Sequence, residues 1–354
     1  MRVAILGGRN PHTAKWVYGL LERGYEVSLI SLDNLQDWDG VPVYRLPFGM
    51  PAGYYLGWLS LRRILQRIKP DLLHVHYASG YGTLGRLSGF RPCILSVWGS
   101  DVYDFPYQSL QKRRLLEANL HHYDHVCSTS QAMADQVLRL CPNLTRPTVT
   151  PFGIDTSIFI PDPSERDAGC VTLGIAKTMK PLYGIDLLLE AFARVRRQRL
   201  PASQPLRLLI AGDGPQKPEL ELLARTLGVD DAVQFIGRIP NTDVPAFLNK
   251  LDVFVNPSRR ESFGVAVLEA SACGLPVVTS DADGLPEVIQ PGITGLMFEK
   301  EDVGALANAL ATLVDDESLR QQMGSAGREF VRSTYELADC VTTMEQVYAQ
   351  VLGR

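Results

Sequence analysis

The 354-residue sequence has no C-x-x-C pair, no low-complexity tract and no long apolar run. Its six cysteines are scattered, which argues against a zinc site and favours a reducing compartment. No stretch approaches the roughly 18 uncharged apolar residues of a membrane-spanning helix. The apolar run at the N-terminus is also too short for a signal peptide. We therefore expect a globular protein of the cytoplasm.

A concentrated basic face is missing as well. The net charge is −4, with 16 basic and 12 acidic residues in positions 1–158, against 19 and 27 in the remainder. This mild asymmetry does not match a nucleic-acid-binding domain, so no nucleic-acid partner is expected. It suits a first domain that approaches an anionic membrane surface or a phosphorylated acceptor.

The first strand, residues 2–8, ends in Gly7-Gly8 without the complete G-x-G-x-x-G fingerprint, so a nicotinamide or flavin cofactor is not expected. Asn10 and Pro11 then have the residue types of a helix N-cap and first position.

Strand-like and helix-like runs alternate along the chain, which predicts right-handed crossovers and parallel sheets. The length exceeds the roughly 250–300 residues of a single core. We predict an α/β protein with two Rossmann-like domains, residues 1–156 and 157–334, and a terminal helix at 335–354. The ligand cleft is expected between the two sheets, at the carboxyl ends of the strands. The strands predicted in the second half are VTLGI, LRLLIAG, AVQFIG, VFVNP and PVVTS.

Polar residues follow two strands of the first half. His74 and His76 lie on one face of the strand DLLHVH, and Trp98, Ser100 and Asp101 follow the strand PCILSV. Histidines at i and i+2 suit either a metal pair or the polar lining of a cleft, and the lack of a nearby third ligand favours lining. Asp101 is either a polar residue of the site or an N-cap.

The run YLGWLSLRRILQRIKP predicts an amphipathic helix. Two interpretations stay open: a helix packed on the sheet with a solvated basic rim, or a helix that lies on acidic lipid head groups. Its apolar and basic residues are Leu56, Leu59, Ile64, Leu65, Ile68, Arg62, Arg63, Arg67 and Lys69.

Residues 256–286, NPSRRESFGVAVLEASACGLPVVTSDADGLP, are the most informative segment. A buried strand runs into a loop that contains Glu261, and Gly264 opens a run of helical period that contains Glu269. A helix start attracts anions because its free N–H groups and its dipole point at them. The amides near Gly264 are therefore predicted to hold a diphosphate. Alternatively, the two glutamates are solvated helix carboxylates.

The spacing E-x7-E, between a strand ending in PS and the sequence CGLPVV…DGLPEVI, closely resembles the donor-site segment of retaining GT-B glycosyltransferases of family 4. The resemblance implies an N-terminal acceptor domain, a C-terminal nucleotide-sugar domain and a terminal helix that crosses back to the first domain. It also implies that Glu269 contacts the ribose and Glu261 the transferred sugar. The donor-binding residues implied or predicted are Gly8, Lys177, Lys180, Gly212, Gly214, Arg238, Ser262, Phe263, Gly264, Val265 and Glu269.

The sequence departs from this family at three places. Trp98 stands where many relatives have a histidine, and a tryptophan cannot transfer a proton. Leu182 and Tyr183 stand where a second phosphate-binding lysine is usual, so Lys180 is either its substitute or an ordinary exposed lysine. Asp283 makes an Asp-Ala-Asp sequence that resembles a manganese motif of another glycosyltransferase fold, but its place in a strand-exit loop favours a structural role.

Together these features predict a metal-independent hexosyltransferase without a resident cofactor, and the resemblance implies that transfer retains the anomeric configuration. It would use a UDP- or GDP-sugar and a hydroxyl acceptor, such as a lipid-linked glycan of bacterial surface-polysaccharide synthesis, with peripheral contact with the inner membrane. A nucleotide-sugar 2-epimerase and an inactive nucleotide-sugar-binding regulator are the alternatives. The predicted catalytic residues are Glu261, Asp101 and Lys177, and the predicted acceptor-binding residues are His76, Trp98 and Ser100.

Overall fold

The computed structural model describes residues 1–33, 38–199 and 204–354. They form two compact units: unit 1 consists of residues 1–153 and 337–354, and unit 2 of residues 154–336. These bounds lie within three residues of the domain boundaries expected from the sequence. In the described residues, no helix combines the length and the apolar character needed to cross a membrane.

Unit 1 is built on a seven-stranded parallel sheet with the strand order β3-β2-β1-β4-β5-β6-β7. Its central strands, buried on both faces, are rich in Leu, Ile and Val, as expected of a sheet that helices cover on both sides. The strands are β1 Arg2–Leu6, β2 Glu26–Ser31, β3 Val43–Arg45, β4 Leu72–His76, β5 Cys93–Val97, β6 His125–Ser128 and β7 Thr148–Val149.

The first of the helices between these strands begins where its sequence predicts. Asn10 caps the first helix, since its side-chain oxygen accepts a hydrogen bond of 2.9 Å from the Thr13 N–H, and Pro11 follows at the first position. The helices of this part of unit 1 are α1 Pro11–Glu22, α2 Gly53–Leu56, α3 Trp58–Ile68, α4 Gly80–Ser88, α5 Ser100–Tyr103, α6 Leu110–Leu120 and α7 Gln131–Leu140.

Unit 2 has a six-stranded parallel sheet with the order β10-β9-β8-β11-β12-β13. Its last strand was not among the five predicted there, because GLMF is only four residues long and opens with a glycine. Gly295 is required at that point, since a Cβ would lie 2.1 Å from the Val277 carbonyl oxygen. The strands are β8 Val171–Ala176, β9 Leu206–Ala211, β10 Val233–Gly237, β11 Val253–Asn256, β12 Val277–Ser280 and β13 Gly295–Phe298.

Helices flank this second sheet and enclose one hydrophobic core with it. A final helix, α14 Leu337–Leu352, follows in sequence but packs in unit 1, where Tyr348 is completely buried and its hydroxyl lies 2.7 Å from His74 Nδ1. The helices of unit 2 are α8 Ile185–Gln198, α9 Lys217–Leu227, α10 Val244–Asn249, α11 Val265–Ala272, α12 Val303–Asp315 and α13 Glu317–Thr334.

Both sheets have the strand order of a Rossmann fold. In unit 1 the order reverses between β1 and β4, and in unit 2 between β8 and β11. The loops that leave these strand pairs diverge to opposite sides of the sheet and leave a crevice at the carboxyl ends, where such folds bind ligands. The topology therefore predicts that ligands bind at the loops after β8 and β11 in unit 2, and after β1 and β4 in unit 1.

Candidate active site

The crevice of unit 2 brings two predicted residues together. Lys177 directly follows β8 and Glu261 lies in the loop after β11, and the Lys177 ammonium donates a hydrogen bond to the Glu261 carboxylate. Their side chains are only 17% and 11% exposed. A cation and a carboxylate are therefore held at the point where the sheet topology places a ligand.

The charges around Lys177 keep it protonated. Burial lowers the pKa of its ammonium, but the Glu261 carboxylate, the Tyr183 hydroxyl and the Glu269 carboxylate outweigh burial, so the pKa is raised. The ammonium also lies 4.6 Å from the centre of the Tyr183 ring. Tyr183 stands where a second lysine was expected, so an aromatic face now supports the first one. Both glutamates of the E-x7-E pattern act on this single cation.

The backbone N–H groups at the start of α11 are free to bind a ligand. Gly264 precedes the helix with φ of 110°, a left-handed value that favours glycine, and a Cβ there would approach Val288 Cγ2 to 2.9 Å. Within the described residues, the N–H groups of Gly264 and Val265 have no hydrogen-bond acceptor. These amides and the helix dipole make the end of the helix an anion-binding position beside the Lys177–Glu261 pair.

Asp283 holds the backbone of Glu261. Its carboxylate accepts a hydrogen bond of 3.1 Å from the Glu261 N–H, and the Gly284 N–H donates to the Glu261 carbonyl at 2.9 Å. Asp281 accepts from the Lys300 N–H at 2.9 Å. Both carboxylates of the Asp-Ala-Asp sequence therefore fix loops, as the structural interpretation predicts. Across the described ranges, no three His, Cys, Asp or Glu side chains lie close enough together to hold a metal ion.

Arg259 joins the two loops of the crevice, and the sequence analysis did not identify it. Its guanidinium makes two hydrogen bonds of 2.8 and 2.7 Å to Asp186 at the start of α8 and a third, of 2.7 Å, to the Pro181 carbonyl. Gly184 allows the same two loops to touch, because a Cβ there would lie 2.1 Å from the Pro257 carbonyl oxygen. The sequence feature that could have indicated this contact is Asp186, an acidic residue in the first turn of α8. Two basic residues, Lys177 and Lys180, precede that helix.

Two glycines of the predicted donor set have a packing role. A Cβ on Gly212, which has φ of 131°, would lie 1.9 Å from the Lys177 carbonyl oxygen, and one on Gly214 would lie 2.4 Å from that of Met179. The loop after β9 thus packs directly against the loop that carries Lys177. Lys180 is exposed and takes no part in the Lys177–Glu261 pair.

The other predicted donor residues are more scattered. Arg238 lies after β10 at the edge of the sheet, where it lines a small depression with residues 239–241. Phe263 is buried, with its ring 5.7 Å from that of Tyr335, and Ser262 is half-buried in the same loop. Gly8 lies in unit 1 instead, where a Cβ would be 3.1 Å from the Asp33 carboxylate.

The crevice of unit 1 contains an aromatic cluster. Trp98 lies with its ring 4.5 Å from that of His76 and 5.3 Å from that of Phe152, and His12 stacks on Phe152 at 3.9 Å. Trp98 and His76 were predicted from the sequence. His12 and Phe152 were not, because they lie far from these two residues along the chain. Ser100 is exposed and its hydroxyl bonds to the Tyr77 hydroxyl.

The two histidines of β4 are not a metal pair. Both ring nitrogens of His74 are engaged by hydroxyl groups, Nδ1 by Tyr348 at 2.7 Å and Nε2 by Ser96 at 2.8 Å. Burial lowers the pKa of His74 to about 3. Burial, with its neighbours His74 and His12, also lowers the pKa of His76 well below its usual value, so both rings are neutral.

Asp101 has a structural role in this geometry. It is completely buried, and its carboxylate accepts hydrogen bonds from the backbone N–H groups of Ala78, Trp98 and Gly99, at 2.8, 3.1 and 2.8 Å. Burial raises its pKa, although the three amides oppose that effect. Asp101 ties the loops after β4 and β5 together, and the geometry does not support the predicted catalytic role, because no atom of the side chain is exposed.

Comparison with known proteins identifies the family. Residues 161–330 match the family model described as glycosyl transferases group 1, and residues 2–130 match the model described as glycosyl transferase 4-like. A D-inositol 3-phosphate glycosyltransferase of Corynebacterium efficiens is 30% identical over 308 residues, which cover 80% of this chain and 72% of the relative.

Solved structures share the fold over the whole chain. Sucrose-phosphate synthase of Thermosynechococcus elongatus superposes with a TM-score of 0.85 at 21% identity, covering 100% of this chain and 99% of that one. Anabaena HepE in complex with UDP-glucose gives 0.82 at 19% identity, covering 99% and 100%. The two Rossmann-like sheets are those of the GT-B fold. The chain belongs to the group 1, family 4-like glycosyltransferases, and it is a glycosyltransferase of the GT-B type.

Proposed function

We propose that unit 2 binds the donor, a UDP- or GDP-sugar, with its diphosphate between Lys177 and the amides of Gly264 and Val265. The observation that carries this proposal is the Lys177–Glu261 pair beside the open start of α11, in the crevice where the strand order reverses. A buried cation, a helix dipole and free N–H groups together favour a diphosphate. The bound nucleotide of HepE supports a nucleotide-sugar donor by analogy.

The proposed reaction transfers a hexose to a hydroxyl acceptor with retention of anomeric configuration. The bond between the anomeric carbon and the diphosphate oxygen breaks, and the electron pair leaves with the diphosphate. The acceptor oxygen bonds to the same face of that carbon and gives its proton to the departing phosphate. Lys177 and the two amides stabilise the growing negative charge, which is the task that a metal ion performs in other transferases.

Glu261 is proposed to orient the hydroxyls of the transferred sugar and Glu269 those of the ribose. A covalent intermediate needs a second carboxylate close to the far face of the sugar. In the described residues of unit 2, the carboxylates assigned to this site are those of Glu261 and Glu269, and both already act on Lys177. Front-face transfer is therefore preferred.

A lipid-linked glycan is the proposed acceptor. The name of the Corynebacterium efficiens relative gives an inositol phosphate as the substrate of that protein, which supports a polyol hydroxyl acceptor in general. The alternatives are a nucleotide-sugar 2-epimerase, which needs no acceptor, and a binding regulator without activity.

A nucleotide screen followed by a product analysis tests the proposal. UDP, GDP, ADP and their sugars are added to the protein and the shift in unfolding temperature is measured. A ligand at a hundred times its dissociation constant adds about 2.7 kcal/mol to stability. The stabilising sugar nucleotide is then incubated with and without lipid-linked acceptors, in the presence of excess chelator, and the anomeric configuration of the product is read by NMR.

Acceptor-dependent release of nucleotide with a retained anomer is the expected result. Conversion of the donor into another nucleotide sugar without acceptor would establish an epimerase, and binding without turnover a regulator. Activity that disappears with chelator and returns with manganese would overturn metal independence.

A further inference from the structure

Residues 40–70 of unit 1 carry no acidic side chain and five basic ones, Arg45, Arg62, Arg63, Arg67 and Lys69. The chain as a whole is acidic, with 39 acidic and 35 basic residues, so a run of 31 residues with a charge of +5 is a local exception. The run covers β3, α2 and α3, all at one side of the unit 1 sheet.

The same run exposes large apolar side chains. Phe48, Met50, Tyr55, Leu56 and Leu59 are between 48% and 57% exposed, and they fall within twelve residues. We call this group the apolar tip. Fifteen large apolar residues are exposed among the described ones, so a third of them are concentrated here. Single exposed apolar residues are normal, but such a concentration indicates an interaction surface.

Leu59 of the apolar tip lies on the same face of α3 as two of the basic residues. Helical spacing of three and four places Leu59, Arg62, Arg63 and Gln66 along one stripe, and all four are exposed. The opposite face of α3, Leu61 and Leu65, is buried in the core of unit 1. The exposed stripe therefore begins apolar and becomes basic along the helix.

Four exposed basic residues, which we call the basic stripe, lie on α3 and at its C-cap and are available to a partner: Arg62, Arg63, Arg67 and Lys69. In the described part of the chain, Arg62, Arg63, Arg67 and Lys69 form no ion pair with an acidic side chain. By contrast, Arg113 on α6 is paired with Glu117, and Arg146 with Asp135. An unpaired basic cluster next to exposed apolar side chains is complementary to a surface that is anionic outside and apolar beneath.

The apolar tip lies at the same edge of the sheet as the aromatic cluster of unit 1. It follows the carboxyl end of β3, and Leu46 still donates a hydrogen bond to the Ser31 carbonyl at the end of β2. The Tyr54 ring lies 5.2 Å from that of Tyr81 on α4, which follows β4. An acceptor bound near Trp98 and His76 would approach unit 1 from the edge that carries the tip.

We propose that the apolar tip and the basic stripe of α3 bind the surface of an anionic lipid bilayer. The apolar side chains enter the boundary between head groups and acyl chains, and the arginines and Lys69 contact the lipid phosphates. The inference deepens the acceptor part of the proposed function and rests on it for its purpose, since a lipid-linked acceptor is presented at that surface. The lipid contact is tested without any reaction.

Vesicle co-sedimentation with the full chain tests the proposal. Vesicles of phosphatidylcholine alone are compared with vesicles that contain phosphatidylglycerol, at low and at physiological salt. Binding is expected only to the anionic vesicles and is expected to weaken with salt. Arg62→Gln/Arg63→Gln/Arg67→Gln should reduce it on the order of 100-fold, since each basic residue near such a surface contributes about 1 kcal/mol. Leu56→Gln/Leu59→Gln should reduce it as well.

Matched controls come from other exposed positions. Lys112→Gln/Arg113→Gln/Arg114→Gln removes the same charge from α6, and Leu110→Gln/Leu222→Gln removes two exposed leucines elsewhere. Both controls should bind vesicles as the wild type does, and all variants should keep the nucleotide affinity of unit 2. That last measurement separates the failure of this inference from failure of the proposed function.

Three outcomes would overturn the inference. The first is no binding to anionic vesicles at low salt, and the second is an equal loss in the α6 control, which would indicate non-specific attraction. The third is a self-association that Leu56→Gln/Leu59→Gln abolishes while no vesicle binding is seen, because the tip would then be an interface between copies of the chain.

Discussion

At the scale of single residues, Lys177 is the cation on which the proposed donor site depends. Replacing it with alanine should weaken nucleoside diphosphate binding by about 1.5–3 kcal/mol, the range for a hydrogen bond to a charged group. Lys180→Ala removes the same charge from an exposed position three residues away, so its effect should be smaller. Calorimetric titration of both variants with UDP and GDP measures the difference.

Two other outcomes for Lys177→Ala and Lys180→Ala would contradict this assignment of the diphosphate. Equal and negligible losses would remove the diphosphate from this crevice altogether. A larger loss in Lys180→Ala would mean that the exposed lysine turns inward in the complex and replaces the lysine that Leu182 and Tyr183 lack.

Glu261 and Glu269 are expected to act at different stages of the reaction. The ribose near Glu269 does not change during transfer, so its contacts stabilise the bound donor and the transition state equally. The sugar ring near Glu261 gains positive charge, so its contacts strengthen as the reaction proceeds, and only such contacts raise the rate at saturating donor. Glu269→Gln should therefore raise the donor KM, while Glu261→Gln should lower kcat.

Steady-state kinetics on both variants, with direct binding of the free nucleotide, separates these effects. Loss of nucleotide binding in Glu261→Gln with an intact kcat would reverse the two roles and the orientation of the donor. Both substitutions keep the side-chain volume and one acceptor oxygen, so a general loss of folding is not expected.

The residues of the proposed donor site could be predicted from the sequence, whereas the contacts that hold them in place could not. Glu261, Glu269 and the glycine before α11 follow a spacing that a strand and a helix start explain. Arg259 was not predicted, and for Asp283 only a structural role was predicted and not its contact with Glu261, because the partners of both residues lie in other loops and the contacts depend on tertiary packing. Asp101 shows the converse error, since a carboxylate after a strand suits both a catalytic group and a backbone clamp, and only burial distinguishes them.

At the scale of elements, the loop after β12 positions the loop after β11. Asp283 has φ of 40°, and its carboxylate accepts the Glu261 N–H. Asparagine tolerates this backbone conformation and keeps an acceptor, whereas glycine tolerates it and removes the acceptor. Asp283→Gly should lower kcat roughly five-fold, the equivalent of one hydrogen bond of about 1 kcal/mol. Asp283→Asn should stay near the wild type.

The pair of variants distinguishes positioning from simple destabilisation. Nucleotide affinity should be unchanged in both, because Lys177 and the amides of α11 keep their places. A fall in unfolding temperature that accompanies equal losses in both variants would show that Asp283 stabilises unit 2 without directing Glu261.

At the scale of the whole molecule, the alternation of strands and helices was sufficient to predict two parallel sheets. β7 and β13 were not predicted, and both lie at sheet edges: β7 is only two residues long, and β13 begins with a glycine. The packing of α14 in unit 1 was inferred from the family resemblance. The contact between Tyr348 and His74 joins residues that are 274 positions apart, and no periodicity in the sequence predicts it.

The burial of His74 makes the stability of unit 1 depend on pH. The pKa of His74 is lowered by burial from 6.5 to about 3 in the folded state, so between those values the unfolded chain binds more protons than the folded one. Above pH 6.5 His74 makes its full contribution to the free energy of unfolding. This contribution is lost as the pH falls, by up to about 1.4 kcal/mol per pH unit. Asp101, whose pKa burial raises, acts in the opposite direction.

Urea unfolding of the wild type and of His74→Gln at pH 7.0 and pH 5.5 isolates the contribution of His74, because the other titrating groups cancel in the difference. The wild type should be the more stable at pH 7.0, since the variant disturbs the hydroxyls of Tyr348 and Ser96, and this advantage should shrink at pH 5.5. His121→Gln, which changes an exposed histidine, is the matched control. An advantage that is the same at both pH values would show that His74 binds as many protons in the folded unit as in the unfolded chain, and that burial does not set its charge.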